Sequence, residues 1–130
     1  MSCVVVKGRP VSVQSSKPSK RQWKAKVVSE ARKVFAVPLD GQDLVVTVTF
    51  YYETLPDFDT DNISNPICDA LVGVAYRDDS QVMDRIARRR DLNGSYHFKG
   101  VDEEVAVAIC QGEEFVSIKV KPAGDEVEIL

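Results

Sequence analysis

Residues 44–52 read Leu-Val-Val-Thr-Val-Thr-Phe-Tyr-Tyr, nine positions without a charged side chain. Successive side chains of an extended segment point to opposite faces. Leu44, Val46, Val48, Phe50 and Tyr52 make one set, and Val45, Thr47, Thr49 and Tyr51 the other. Both sets are apolar or β-branched, so the segment is predicted to be a strand in the middle of a sheet and covered on both sides. The rest of the chain has to supply that cover. At 130 residues, 44% apolar and 28% charged, it is long enough for one domain spanning 1–130 with a real core. That composition excludes a disordered chain, a collagen-like fibre and a low-complexity scaffold.

The flanking segments fill in the layers. Cys3 to Val6 is a short β-branched run closed by Gly8 and Pro10, a first strand. Ser12 to Ser19 reads as a polar loop. Ser19-Lys20-Arg21-Gln22 has the spacing of a capping box, and Trp23, Val27, Ala31 and Val34 follow at helical intervals, predicting a helix from Lys20 to Phe35. Pro56 to Asn62 is an acidic connection. Ile63, Ile67, Ala70 and Leu71 share a helical face that Gly73 ends, and Pro66, tolerated in a first turn, starts the regular part near Asn65. Gln81 to Arg90 fits a strand or a solvated helix end. Asp102 to Gln111 reads as a short helix, with Val101, Val105 and Ile109 four apart. Phe115 to Lys121 reads as a last strand, with Val116, Ile118 and Val120 inward and Ser117, Lys119 and Lys121 outward. The expected fold is α+β, a small mixed sheet of about four strands with two or three helices packed on it.

Net charge is −3, but its distribution is segregated. Residues 1–37 carry nine Lys or Arg against one Glu, and residues 38–81 carry nine acids against Arg77. Residues 82–99 are again basic, and the remainder acidic. Such blocks create local fields that net charge conceals, so an acidic chain can still present a phosphate-binding face. Three cysteines, Cys3, Cys68 and Cys110, form no disulfide or zinc pattern; with no apolar run of membrane length and no signal-peptide pattern, a cytoplasmic protein with no membrane partner is expected.

Chemistry concentrates in Asp57, Asp59, Asp61, Asp69, Asp78 and Asp79. In an extended segment Asp59 and Asp61 point to one side. Converging carboxylates repel unless a cation neutralises them, and hard oxygen donors suit Mg²⁺ or Mn²⁺. Asp57-x-Asp59-x-Asp61 fails as a calcium loop, since Asn62 stands where glycine is needed and Cys68 where an acid belongs. His97, the single histidine, has no nucleophile near it in sequence, and there is no Walker or dinucleotide fingerprint.

The segment Asp59-Thr60-Asp61-Asn62-Ile63-Ser64-Asn65-Pro66-Ile67-Cys68-Asp69-Ala70-Leu71, with Gly73, Tyr76, Asp78-Asp79 and Gln81-Val82 following, resembles the RusA family of Holliday junction resolvases. Gly8-x-Pro10-x-Ser12, a basic first helix and a closing strand agree more loosely. The resemblance implies a small α+β homodimer that binds four-way DNA junctions and nicks opposing strands with Mg²⁺. It marks Asp59, Asp61 and Asp79 as the catalytic, metal-binding set, Asp78 as a further metal ligand, and Asn62, Asn65, Asp69 and Arg77 as supporting residues. Lys17, Lys20, Arg21 and Lys24, with Arg85, Arg88, Arg89 and Arg90, would then hold DNA phosphates around the acidic centre. The family's lysine falls at Asn65, which is neutral; Arg77 or a residue of the basic strip could take its place. Two other expectations stand beside this one. One is a junction-binding protein of the same fold impaired in cleavage by Asn65. The other is an interaction domain with a solvated acidic cluster.

Overall fold

A computed structural model describes residues 2–12, 14–55, 60–94 and 102–124, with no side chain described for Thr60 or Asp61. The chain runs β1 (Ser2–Lys7), α1 (Lys17–Val34), β2 (Leu44–Tyr52), α2 (Thr60–Leu71), β3 (Val82–Asp91), α3 (Glu103–Gln111) and β4 (Phe115–Pro122). The four strands form one sheet in the order β1-β4-β2-β3. β4 is antiparallel to both β1 and β2, while β2 and β3 run parallel, joined through α2. This is the mixed-sheet α+β fold that the hydrophobic pattern predicts.

β2 is interior in both senses. It pairs with β3 on one edge and β4 on the other. Its Leu44, Val46, Val48 and Phe50 enter a core with Val4, Val6, Val116, Ile118 and Val120, closed by Trp23, Val27 and Ala31 of α1 and Ile63, Ile67 and Leu71 of α2. On the other face Tyr51 stacks against Phe115, ring centroids 4.5 Å apart and planes nearly parallel. Val105 and Ala108 of α3 cover that pair together with Cys3 and Val5. Two helices therefore shield one face and one short helix the other.

Four expectations are corrected. α1 begins at Lys17, not Lys20, and its cap is Ser16, whose hydroxyl accepts from the Ser19 N–H at 3.3 Å. Pro18 falls in the first turn, where its missing N–H costs nothing, so residues expected in the loop join the helix. α2 begins at Thr60, not near Asn65, which leaves Pro66 inside the helix. Burial of Ile63 and Ile67 on one side of α2 outweighs the backbone bond that Pro66 cannot make to the Asn62 carbonyl. From Thr60 onward the backbone is helical, so the same-side argument made for an extended Asp59 and Asp61 does not hold there. Ser117 is buried, not outward, because α3 covers its face of the sheet. The ambiguous segment resolves as β3, preceded by a 3₁₀ turn over Asp79–Gln81. Asp57, Asp59, His97 and Val101 lie outside the described residues.

At the exit of β2 a clamp fixes the chain just before the acidic stretch. The Arg9 guanidinium donates to both Glu114 oxygens, at 3.2 and 3.0 Å, and to the Thr54 carbonyl at 2.5 Å. The Glu114 carboxylate also accepts the Glu53 and Thr54 N–H groups at 2.7 and 3.3 Å. These donors, Arg9 first among them, hold the Glu114 carboxyl below its usual range.

Two outcomes are expected. Pro66→Ala restores a backbone hydrogen bond within α2 and raises stability by about 1–3 kcal/mol in urea unfolding; a neutral or destabilising result would move the helix start back toward Asn65. Glu114 has a depressed folded pKa, so its contribution is complete above the unfolded value and is lost as pH falls through the folded one. Glu114→Gln should cost about 1–3 kcal/mol at neutral pH, and the gap to wild type should close on acidification below pH ~4.

Candidate functional site

A cleft of about 280 Å³ opens where the end of α2, the turn before β3 and the start of β3 meet, lined by Cys68, Asp69, Tyr76, Asp79, Val82, Met83 and Arg85. Its α2 wall follows from amphipathic spacing. Ile63, Ile67, Ala70 and Leu71 are buried, while Asn62, Asn65 and Asp69 fall at i, i+3 and i+7 on the polar side. Asp69 is exposed at the cleft, one residue before the buried pair Ala70 and Leu71. The chain then reverses at Gly73, whose φ of +82° is one that side chains with a Cβ rarely adopt. Tyr76 returns fully buried, and its hydroxyl donates to the Cys68 carbonyl at 2.9 Å, which ties the turn back to α2.

The second carboxylate is positioned by a glutamine. Gln81 Oε1 accepts from the Arg77 and Asp78 N–H groups, both at 3.0 Å. Its Nε2 donates to the Leu39 and Gln42 carbonyls at 3.2 and 3.1 Å. Two acceptor sites and two donors exhaust what a side-chain amide offers. The Asp78–Gln81 turn is thereby fastened to the 39–42 loop. Asp78 closes the other half of a capping box, accepting from the Ser80 hydroxyl at 3.0 Å and the Ser80 N–H at 3.4 Å. The Ser80 hydroxyl foremost, with Asp79 next, holds the fully exposed Asp78 carboxyl below its usual value. Asp79, between these two, stands exposed on the cleft.

Arg85 arrives by an irregularity in the sheet. Leu44 pairs with Val82, but Val45 pairs with Asp84, so the register shifts by one residue around Met83. Val46 then pairs with Arg85, on the face of the core. A single extra residue reverses which side chains face which way, so Arg85 shares the cleft with Val82 and Asp84 turns to the opposite face. Arg85 lies beside the Cys68 thiol, which burial pushes up and the guanidinium pulls back.

The structure thus brings Asp69, Asp79 and Arg85 to one place. Asp78 caps the turn, and Arg77 leaves the cleft to pair with Asp40 at 3.2 Å, both mostly exposed. Asn62 and Asn65 are half-buried on α2 and do not line the cleft. Lys17, Arg21 and Lys24 are exposed and Lys20 half-buried on α1, which packs on the same sheet face as α2. The basic strip divides: Arg89 follows Arg85 on that face by register with Phe50, whereas Arg88 and Arg90 pair with Thr49 and Tyr51 on the α3 side. Among the described residues no three His, Cys, Asp or Glu side chains gather to hold a metal ion, and Asp59 and the Asp61 side chain lie outside those residues.

Sequence reasoning placed Gln81 in the motif without a role and counted Arg85 among the DNA-gripping arginines. The Asp-x-x-Gln spacing of a capping box was the available signal for Gln81. The register shift that aims Arg85 has no such signal in the residues themselves.

A sheet covered by helices on both faces, with a cleft of two carboxylates and a guanidinium at the end of its parallel pair, defines an α+β protein with a charged polar cleft. The chain belongs to the RusA family: the family described as Endodeoxyribonuclease RusA matches residues 5–109. Membership implies a Holliday junction resolvase, an endodeoxyribonuclease acting on branched DNA. The match runs from the second half of β1 through most of α3, including residues 100–109. No curated protein matches the chain. Among the described residues no helix is long and apolar enough to cross a membrane.

Gln81→Ala should lower stability by about 1–3 kcal/mol and reduce order in the Asp79 turn, read by urea unfolding and amide exchange. Gln81→Glu places a negative charge against two carbonyl oxygens, which raises the glutamate pKa. Its stability should therefore recover as pH falls and the group protonates, and decline as pH rises. A variant insensitive to pH would mean the amide does not face those carbonyls.

Proposed function

We propose that this chain is a single-domain, divalent-cation-dependent endonuclease of the RusA type, using Mg²⁺ or Mn²⁺ to resolve four-way DNA junctions by paired nicks. The observation that supports it most is the convergence of Asp69 from α2 and Asp79 from the fastened turn on one cleft beside Arg85. The donor set fits a hard cation: carboxylate oxygens without soft competitors other than a buried thiol. In this reading Asp59, Asp61 and Asp79 hold the ion, with Asp78 adjacent and Asn62 and Asp69 supporting them. When bound, the cation supplies Lewis acidity to the phosphoryl oxygen and eases deprotonation of the attacking water.

The chain's own residues do the rest. Gln81 and the Asp78 cap restrict Asp79 to a narrow set of positions, so the carboxylate is preorganised before DNA arrives. Lys17, Lys20, Arg21 and Lys24 of α1, with Arg89 on the same face, hold phosphates flanking the cleft, and Arg88 and Arg90 meet the backbone from the other side. Two copies about a two-fold axis would present two clefts to a nearly symmetric junction, which is how a homodimer makes paired cuts. The free thiols Cys3, Cys68 and Cys110 accord with a reducing, cytoplasmic setting.

A second reading rests on Asn65. α2 carries no Lys or Arg, so the position that bears the family's lysine supplies no cation. If nothing replaces it, the chain binds junctions without cutting them.

The test is cleavage of a labelled four-way junction and its matched duplex, with and without Mg²⁺, by wild type, Asp61→Asn and Asn65→Lys. Paired nicks confined to the junction, dependent on Mg²⁺ and lowered at least ~10²-fold in Asp61→Asn, are expected. A junction-specific gel shift without nicks, with cleavage gained in Asn65→Lys, would establish the binding protein instead. Neither nicks nor selective binding would overturn both readings.

A further inference from the structure

We infer that Arg85 is the residue that contacts the scissile phosphate in this cleft and stabilises the charge that builds on it; the inference rests on the nuclease reading above. Among the described residues Arg85 is the cation lining the cleft, which it shares with the carboxylates Asp69 and Asp79. It stands on β3, on the sheet face where α2 packs, and the register shift at Met83 puts it there in place of Asp84. Without that shift a third carboxylate would occupy the position.

Arg77, which directly precedes the Asp78–Asp79 pair, is committed elsewhere and pairs with Asp40. No carboxylate among the described side chains pairs with Arg85. Its neighbour Cys68 is held as the neutral thiol by burial and does not neutralise it. α2 offers no basic residue on its wall of the cleft. Arg89, four positions along the same strand, is on the order of 13 Å further on and reaches a different phosphate.

Hydrolysis joins a water oxygen to phosphorus while the bond from phosphorus to one sugar oxygen breaks. The water loses a proton and the departing sugar oxygen gains one, leaving a phosphomonoester and an alcohol. During this exchange negative charge grows on the two non-bridging oxygens. A guanidinium presents parallel N–H donors matched to such a pair, and the contact strengthens as the charge develops. A lysine restores the charge but not the fork.

The experiment measures two quantities for wild type, Arg85→Ala, Arg85→Gln and Arg85→Lys. One is the single-turnover rate on a four-way junction at saturating enzyme in Mg²⁺, and the other is junction Kd by fluorescence anisotropy with Ca²⁺ in place of Mg²⁺. Thermal melting confirms that each variant folds, and Arg85→Gln keeps the test alive should Arg85→Ala not fold. Expected are a rate loss of roughly 10²–10³-fold in Arg85→Ala and Arg85→Gln with Kd within about threefold, and partial recovery in Arg85→Lys. Wild-type rates in Arg85→Ala at saturation, with or without a weaker Kd, would reduce Arg85 to an ordinary DNA-holding residue and overturn this inference alone. A wild type that binds the junction and never nicks it overturns the nuclease reading and this inference together.

Discussion

β2 is hydrogen-bonded along both edges and packed on both faces, and every other element takes its place from that fact. A strand so enclosed has to be flanked by partners and roofed by helices. α1 and α2 meet that need on one side and α3 on the other. Because β3 runs parallel to β2, the chain must cross over between them, and α2 is that crossing. The crossing delivers the end of α2, the following turn and the start of β3 to one end of the parallel pair. The cleft therefore opens at the amino ends of β2 and β3, the end opposite to the carboxyl-end crevice usual in open parallel sheets. The cleft is thus a by-product of satisfying β2.

The long motif turns out to divide its labour. Ala70, Leu71 and Val82 are anchored in or against the core, and Gly73 reverses the chain. Tyr76 ties the turn to α2, and Gln81 ties it to the 39–42 loop. Only Asp69 and Asp79 of the motif's described residues are left exposed on the cleft. Most of what makes the segment recognisable therefore maintains the distance and attitude of two carboxylates.

The strands and the class of fold were legible because hydrophobic alternation and burial report on the same thing. Leu44 to Tyr52 announces a covered strand, and nothing in the tertiary structure contradicts it. The helix starts were less legible. Ser16 and Ser19 are equally good caps in isolation, and Pro18 permits either. The start of α2 depends on burial of Ile63 and Ile67 overriding a proline, an outcome that only packing decides. Ser117 reads as outward-facing until α3 is known to lie over it. At the site, the carboxylates were visible as a cluster, yet the face that Arg85 takes depends on one unpaired residue in a ladder, which a parity count along the strand cannot foresee.

Among the described residues β3 is the last strand of the sheet, and none of them forms a strand beside its outer edge. Exposed edges tend to recruit further strands from other molecules, and charge is a usual protection. Arg85, Arg88, Arg89 and Arg90 are all exposed on this one, and any second copy approaching it edge to edge would bring four like charges of its own. The same charges that the proposed function turns toward DNA make this strand unfit to template a fibril. Replacing several of these arginines would uncover a strand that carries Met83 and Ile86 in the open.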